Sequence, residues 1–372
     1  MFKTEFKLST KPLIVAVALV AVLASPAFSD TAPPARAPAT SDPTAEALKP
    51  CAEGKDAAAR AVACTELISG GGLSGKPLAT AYLFRGNAQV ERQQFQAAVD
   101  DFSKALSIDT GATDALYNRA AAYAAIGRLD LAIADYSHLL EIAPNDPDTL
   151  FNRAWLYSMQ GKYDAATDDL TKVLMVKPDD FETRLRRAGI AIQLGRNEDA
   201  IADCNRLLKA APKSPVALYN RGRAEYAKGD YDAAADDFGA AEKNLEGIGK
   251  ASLRAYATLR LALASAHAGK DTPPELASLA KAVTVDQWPM PIVAFYLGNL
   301  SEDDLLQATH VADPARAANL AAEAEYYIGQ WALLKQDKKT AKKHFKAAAA
   351  GKADHANLEF IDAGLALQKL GS

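Results

Sequence analysis

Several residue patterns are scarce in this sequence, and each scarcity argues against a class of protein. Long runs of β-branched residues are missing, so a sheet-based core is not expected and an alanine-rich, all-helical chain is. The formal net charge is only −4, which argues against nucleic acid as the main partner. The 5 histidines are scattered without metal-ligand spacing, so neither a metal site nor a catalytic centre is predicted.

One segment has part of a nucleotide-binding motif, but the motif is incomplete. Gly70, Gly75 and Lys76 have the spacing of a phosphate-binding loop, whereas Pro77 stands where a hydroxyl residue would bind magnesium. A helix is expected before this segment, whereas a phosphate-binding loop follows a strand. No cofactor and no small-molecule substrate is therefore predicted, and residues 70–77 are interpreted as a flexible loop.

The apolar run at the N terminus is short. Three lysines precede the run Leu13–Leu23, which is too short to span a membrane comfortably. Ala27-Phe28-Ser29 fits a small-x-small cleavage site, so residues 1–29 are predicted to be a cleavable signal peptide of a periplasmic or secreted protein. An uncleaved anchor is the alternative. No cysteine lies near the cleavage site, so no lipid anchor is predicted.

Cysteine is scarce as well, and 3 residues fit an exported protein with one disulfide. Cys51 and Cys64 flank a turn at residues 54–56 and are predicted to form a disulfide that joins the two helices of a hairpin. Closing a loop of this length stabilises a chain by about 3 kcal/mol. The alternative is that the two are separate small core residues. Cys204 is predicted to be a core thiol.

A repeated pattern fills residues 79–247. Five units follow one another at intervals of 34 residues, starting at Ala79, Thr113, Pro147, Phe181 and Pro215. The eighth and twentieth positions of every unit hold alanine or glycine, and a turn glycine follows the first half of four units. This pattern resembles the tetratricopeptide repeat (TPR) family, which implies units of two helices, A and B. The predicted fold is all-α, a right-handed TPR solenoid.

The regions around the repeats have other compositions. Residues 30–44 are rich in proline, alanine, serine and threonine, which predicts a disordered linker. Residues 45–78 are predicted to be a capping half repeat, with a helix ending at Ser69. Residues 248–372 are predicted to be a degenerate TPR module.

Local signals subdivide the module of residues 248–372. Ser301 with Asp304 is typical of a capping box that starts a helix. Asp313-Pro314 is interpreted as a turn. Residues 323–350 again show the small residues and aromatic of a TPR unit, with Gly329 and Phe345 at the eighth and twenty-fourth positions.

A second resemblance is confined to the end of the chain. Trp288, residues 292–301 and Tyr327-Ile328-Gly329 are similar to the C-terminal region of NlpI-type TPR proteins of bacterial envelopes. This resemblance implies a periplasmic adaptor that binds envelope enzymes, notably a tail-specific protease and peptidoglycan endopeptidases, often as a homodimer. The chain lacks the lipidated cysteine of the family's founding member, so the resemblance does not imply an outer-membrane location.

Partner binding is expected on the concave groove, which helix A lines in TPR arrays. Asparagine amides can hydrogen-bond a peptide backbone in both directions, and aromatic side chains supply pockets. The alternative for the aromatic residues is partial burial as packing residues. The predicted binding residues are Asn87, Tyr117, Asn118, Phe151, Asn152, Trp155, Arg186, Tyr219, Asn220, Arg223 and Tyr226.

Two charged positions recur together in the five units. The seventh is always arginine and the twenty-third always aspartate, and both change in the last unit, to Ile328 and His344. The predicted pairs are Arg85 with Asp101, Arg119 with Asp135, Arg153 with Asp169, Arg187 with Asp203, and Arg221 with Asp237. We expect a ladder of exposed salt bridges, each contributing about 0.2–1 kcal/mol. A binding role for these charges is the alternative.

These patterns predict a periplasmic adaptor or scaffold that is not an enzyme. Its expected partners are proteins or peptides, among them envelope proteases or cell-wall hydrolases, and a homodimer is part of the same expectation. Two other functions stay open. One is a self-assembling structural solenoid, and the other is a hydrolase activity within residues 248–372.

Overall fold

The computed structural model describes residues 43–245, 251–282, 287–350 and 358–371. Within these ranges the chain forms nineteen α-helices and no strand, which confirms the all-α solenoid. The chain divides into two compact units, one within Pro26–Thr183 and one containing Arg184–Ser372. They are called the N-terminal and C-terminal units and are described separately. The predicted signal peptide and residues 30–42 of the predicted linker lie outside the described residues.

The N-terminal unit contains eight complete helices. They are α1 (Pro43–Glu53), α2 (Ala57–Ser69), α3 (Gly75–Glu91), α4 (Phe95–Ile108), α5 (Thr113–Ala125), α6 (Leu129–Ile142), α7 (Pro147–Met159) and α8 (Tyr163–Val176). From α3 onwards they alternate as helices A and B of the first three repeats. The next helix, α9 (Phe181–Gln193), starts in this unit and continues into the C-terminal one.

The N-terminal cap differs from the predicted half repeat, because α1 and α2 form a complete helix pair. A disulfide joins Cys51 in α1 to Cys64 in α2, and Asp56 starts α2 by accepting a hydrogen bond from the Ala59 amide. Two predicted boundaries are wrong. Helix α1 begins at Pro43, within the predicted linker, since proline suits the first turn of a helix. Helix α3 begins at Gly75, within the predicted loop, after Ser74.

The C-terminal unit continues the repeats with helices A and B of the fourth and fifth units and then adds seven more helices. The ten helices that follow α9 are α10 (Asn197–Ala210), α11 (Pro215–Lys228), α12 (Tyr231–Asn244), α13 (Ala251–His267), α14 (Pro274–Ala282), α15 (Met290–Tyr296), α16 (Glu302–Gln307), α17 (Pro314–Leu334), α18 (Lys338–Ala350) and α19 (Leu358–Lys369). Within the described ranges of the chain, no helix combines the length and apolarity that a membrane crossing requires.

Capping explains where two of these helices begin. Ser301 accepts a hydrogen bond from the Asp304 amide at 3.1 Å, which confirms the predicted capping box at the start of α16. The predicted turn at Asp313-Pro314 is wrong. Asp313 caps α17 by accepting from the amides of Ala315 and Arg316, and Pro314 occupies the first helical position. Helix α17 therefore starts nine residues before the predicted TPR unit of residues 323–350.

Close contact between helices A and B explains the small residue at the eighth position. A Cβ built on Gly222 in α11 would lie 3.0 Å from the Phe238 ring in α12. The same contact recurs between α17 and α18, where a Cβ on Gly329 would lie 2.6 Å from Phe345. The α17–α18 pair therefore packs as a TPR unit, as predicted.

The turn between helices A and B requires a left-handed backbone. Gly127 adopts a φ of +76° there, and Gly229 adopts +95°. In the first repeat the corresponding residue is Gln93, whose φ is +58°, and Gln336 adopts +61° in the α17–α18 pair. A side chain at such a φ costs about 1–2 kcal/mol relative to glycine, so these two turns are less favourable than the others.

The predicted arginine–aspartate ladder is confirmed in all five repeats, and each pair lies within a single repeat. Arg153, for example, donates from Nε and Nη2 to both carboxylate oxygens of Asp169 at 2.8 Å. The expectation that the pairs are exposed is wrong, since only 3% of the Asp169 side chain and 16% of the Arg153 side chain are exposed. The hydrogen bonds with Asp169 raise the pKa of Arg153 above its already high value, so the guanidinium stays charged.

Several ladder arginines also reach the preceding helix B. Arg119 Nη1 donates to Ser103 Oγ at 3.2 Å, and Arg153 Nη1 donates to Ser137 Oγ at 3.0 Å. In the C-terminal unit, Arg221 Nη1 donates to Asn205 Oδ1 at 2.6 Å. One guanidinium therefore ties its own two helices together and joins them to the repeat before it.

Candidate binding groove

Two adjoining cavities in the N-terminal unit are lined by helices A of successive repeats. Cavity 1 has a volume of about 460 Å³ and lies among α3, α5, the end of α6 and the start of α7. Cavity 2 has a volume of about 280 Å³ and lies among α5, α7, the end of α8 and the start of α9. Tyr117 and Asp148 line both cavities, which together are called the N-terminal groove below.

Five of the predicted binding residues line this groove: Asn87, Tyr117, Asn118, Phe151 and Asn152. All five are half-buried. Trp155, the sixth candidate in this unit, lines neither cavity and packs against the core cluster that contains Leu116 and Tyr136. The groove therefore brings together most of the candidates from the first three repeats.

The asparagine amides bond neighbouring repeats to each other. Asn118 Nδ2 donates to Asn87 Oδ1 at 2.8 Å, and Asn152 Nδ2 donates to the Tyr117 hydroxyl at 2.7 Å. These contacts were not predicted from the sequence, which assigned the amides to a peptide backbone alone. Asn118 Oδ1 accepts no hydrogen bond from any residue that the structure describes. This acceptor belongs to a residue that lines cavity 1.

The aromatic residues both pack and line the groove. Tyr117 contacts Tyr136 edge to face, with ring centroids 5.5 Å apart. Phe151 packs against the core cluster of Leu140, Leu150 and Val173. Each ring is half-buried, so its inner edge supports the repeat and its outer surface forms the cavity wall. The two readings offered by the sequence, packing and pocket, therefore apply to the same side chains.

The groove has a negative electrostatic character near Tyr117. Burial raises the pKa of the Tyr117 hydroxyl, and the carboxylates of Asp148 and Asp146 raise it further, while the hydrogen bond from Asn152 acts in the opposite direction. Lys177 in cavity 2 lies 3.0 Å from Asp148, and about half of its side chain is exposed. At neutral pH the tyrosine is therefore a neutral hydrogen-bonding group beside anionic ones.

The candidates from the fifth repeat are not on an open groove, which corrects their assignment. Tyr219, Asn220 and Arg223 are 2–3% exposed. Tyr226 is half-buried, and its hydroxyl donates to Gln330 Oε1 in α17 at 2.9 Å. The helix A surface that would face a partner is thus covered by later helices of the same unit. Arg186, in the fourth repeat, is half-buried and lines neither cavity of the N-terminal groove.

Helix α19 covers the fifth repeat through a buried ion cluster. Arg223 Nη2 donates to Asp362 Oδ1 at 2.8 Å, and Arg260 Nη2 lies 2.7 Å from Asp362 Oδ2 and 2.9 Å from Glu359 Oε1. Arg260 Nη1 also donates to the Tyr326 hydroxyl at 2.8 Å. Two guanidiniums and two carboxylates balance one another in a site where the arginine side chains are 2% exposed.

The cluster holds its charges despite burial. Burial alone would raise the pKa of Asp362, but Arg223 and Arg260 outweigh it and the pKa is lowered. Sequence reasoning missed this cluster, because its members lie on α11, α13 and α19 and 139 residues separate Arg223 from Asp362. No spacing rule connects residues so far apart in the chain.

No metal centre is assigned to the part of the chain that the structure describes. Within those residues, no group of three or more histidine, cysteine, aspartate or glutamate side chains is placed to bind a metal ion. His344 is buried between Glu325 and Glu302, with ring nitrogens 2.6 and 3.3 Å from their carboxylates. It replaces the ladder aspartate of the other repeats and contacts these two acids instead.

Comparison with known proteins agrees with the repeat pattern. Three tetratricopeptide repeat family models match residues 111–177, 157–221 and 217–273. A search of curated protein sequences found no match. The matched segments cover the second to fifth repeats and extend into α13.

Solved structures with the same fold include a tetratricopeptide repeat protein from Parabacteroides merdae, which is 18% identical and has a TM-score of 0.51 over 78% of this chain and 98% of its own. MamA is 20% identical, with a TM-score of 0.44 over 46% of this chain and 94% of its own. YrrB, a TPR protein with an unusual peptide-binding site, is 19% identical, with a TM-score of 0.45 over 53% and 98%. The family-model matches, the 34-residue register and the repeated helix pairs identify the chain as a tetratricopeptide repeat protein.

Proposed function

We propose that this protein is a binding scaffold whose N-terminal groove holds an extended segment of a partner protein. The observation that carries the proposal is the N-terminal groove itself, in which two cavities follow each other from one repeat to the next. Half-buried aromatic rings form its walls, and the Asn118 amide oxygen, which has no partner among the described residues, can accept a hydrogen bond from a peptide backbone. An extended segment would contact both cavities and their shared residue Tyr117.

The geometry favours this groove over the fifth repeat as the binding surface. In the fifth repeat, α17 and α19 already occupy the corresponding face, and Arg223 and the Tyr226 hydroxyl are paired with residues of these helices. A partner there would have to replace buried charge pairs, which is costly unless it supplies equivalent ones. We therefore expect partner contacts in the first three repeats.

We further propose that the scaffold acts in the bacterial envelope and binds an envelope protease or cell-wall hydrolase. Residues 1–29 support export, since lysines, an apolar run and a small-x-small site follow in the order of a signal peptide. The resemblance of residues 288–370 to NlpI-type adaptors supports the choice of partner and also a homodimer. Light scattering after size-exclusion chromatography tests the homodimer. A mass of one chain would contradict it, and growth beyond a dimer would favour a self-assembling solenoid.

A pull-down from periplasmic extract tests the binding function. The baits are the purified protein, an Asn118→Ala/Asn152→Ala variant, and an Asn244→Ala control. Among the described residues Asn244 bonds the Ala240 carbonyl alone, and it lines neither cavity, so its replacement leaves the groove unchanged. We expect envelope enzymes to be captured by the protein and the control and lost with the groove variant, provided that circular dichroism shows the variant to be folded. Equal capture by all three would refute the groove, and capture by none would refute the scaffold.

A further inference from the structure

Among the residues that the structure describes, cavity 1 is lined by carboxylates and by no cationic side chain. Asp114, Asp146 and Asp148 all contribute to its wall, together with apolar side chains such as Leu83 and Ile142. Asp114 is exposed and forms no hydrogen bond or ion pair with the residues that the structure describes. Asp148 is paired with Lys177, yet 72% of its side chain stays exposed. The cavity therefore presents negative charge directly beside apolar surface.

Helix stability accounts for only part of this arrangement. Asp146 caps α7 by accepting from the Thr149 amide, and Asp114 and Asp148 lie in first turns, where carboxylates favour the helix dipole. First-turn aspartates also occur in helices B, at Asp130 in α6, which lines neither cavity. The dipole explains why aspartate suits these positions, but it does not explain why carboxylates line a cavity whose wall lacks a cation.

Two of these aspartates each lie one helical turn before an aromatic residue on the same helix face. Tyr117 lies three residues after Asp114, and Phe151 lies three residues after Asp148, so each carboxylate has a ring one turn away. A cationic side chain placed between them would contact a carboxylate and the face of an aromatic ring, both of which attract it. The carboxylates of Asp148 and Asp146 also add to the raised pKa of Tyr117, which shows that their field reaches the ring.

We propose that the N-terminal groove selects an extended protein segment in which a lysine or arginine side chain neighbours an apolar one. The cation lies between Asp114, Asp148 and the Tyr117 ring, and the apolar side chain packs on Leu83 and Ile142 in cavity 1. The proposal rests on the groove-binding function above and specifies the chemistry of the partner. Charge complementarity is its basis, since an acidic segment would meet three carboxylates.

Selection from a displayed library of random peptides tests this specificity. The library is selected in parallel on the purified protein, on Asp114→Asn/Asp148→Asn, on Asn118→Ala/Asn152→Ala, and on Asp130→Asn. The last variant is the matched control, because it removes a first-turn charge from α6 outside the groove. We expect lysine and arginine to be enriched next to apolar residues on the protein and on the control. The enrichment should disappear on the aspartate variant.

The binding affinity of a selected peptide then measures how much the carboxylates contribute. Its affinity should be about tenfold weaker on Asp114→Asn/Asp148→Asn than on the unchanged protein. On the unchanged protein the affinity should also fall as NaCl rises from about 0.05 to about 0.5 M, because salt screens the charge pairs, and on the variant this salt dependence should be smaller. Peptides that depend on the groove but lack basic residues would overturn the proposed specificity and leave the groove function standing. Peptides that bind equally to the Asn118→Ala/Asn152→Ala variant would overturn both.

Discussion

Removal of one ladder carboxylate should cost far more than an ordinary surface ion pair. Asp169→Leu leaves the Arg153 guanidinium, only 16% of whose side chain is exposed, with Ser137 as its remaining hydrogen-bond partner among those described above. Breaking a buried pair from one side costs about 3–5 kcal/mol. Because the arginine keeps some solvent contact, we expect a loss near the lower limit, about 3 kcal/mol of unfolding free energy.

The reverse change should cost at least as much. Arg153→Met leaves Asp169, whose side chain is 3% exposed, with Lys172 at 4.0 Å as the remaining cation. The double variant Arg153→Met/Asp169→Leu removes both charges and fills the space with apolar atoms. It should therefore cost about 2–3 kcal/mol less than the two single changes added together.

Urea unfolding followed by far-ultraviolet circular dichroism measures all three free energies. Asp148→Leu is the comparison, because it breaks the exposed pair with Lys177 and should cost about 0.5 kcal/mol. Single costs that add to the double cost within about 0.5 kcal/mol would show that the ladder residues do not stabilise each other. A loss below about 1 kcal/mol for Asp169→Leu would show that burial of the ladder has no energetic consequence.

Three further outcomes are expected. Burial raises the pKa of Glu225 to about 7. The protonated side chain therefore favours the folded state below the unfolded pKa of glutamate, and this stabilisation is lost as pH rises through 7. Glu225→Gln should therefore raise the free energy of unfolding by about 1–2 kcal/mol at pH 8 and change it little near pH 4, measured by urea titration at both values. Burial also raises the pKa of the Cys204 thiol to about 12, so a thiol reagent at pH 8 should label it in urea and leave it unlabelled in the folded protein. Gly329→Ala should destabilise the fold by about 1–3 kcal/mol because its Cβ would meet Phe345. A Cβ on Gly364 meets no described atom outside its own helix within 4 Å, so Gly364→Ala should stabilise the fold slightly, and equal thermal shifts of the two variants would contradict the packing argument.

Features with a fixed sequence spacing were predictable. The 34-residue period indicated the helix pairs, and the joint change to Ile328 and His344 indicated that the seventh and twenty-third positions face each other. Each of these relations acts within one repeat, where the helix geometry fixes which residues meet. The pairing of Arg153 with Asp169 is therefore as readable from the sequence as the repeat itself.

Relations between distant segments could not be predicted in this way. Helix α19 covers Arg223 through Asp362, which lies 139 residues later in the chain. In the sequence, Arg223 and Asp362 both look like ordinary exposed helix residues. The bond between Asn118 and Asn87 also escaped prediction, because an amide suits a ligand and a neighbouring amide equally well. The structure therefore brings five of the candidates from the first three repeats together in one groove, whereas later helices cover the candidates of the fifth repeat.

The bonds that Arg119 and Arg153 donate to the preceding repeat have a consequence for how such a chain can change length. Arg119 contacts Ser103 and Arg153 contacts Ser137, and both contacts span 16 residues. Excision of residues 113–146 would leave Arg153 facing Ser103, so the junction would be rebuilt from groups already present. Loss of this whole 34-residue module therefore keeps an arginine–serine bond at the new junction, whereas an insertion of another length would misalign that bond.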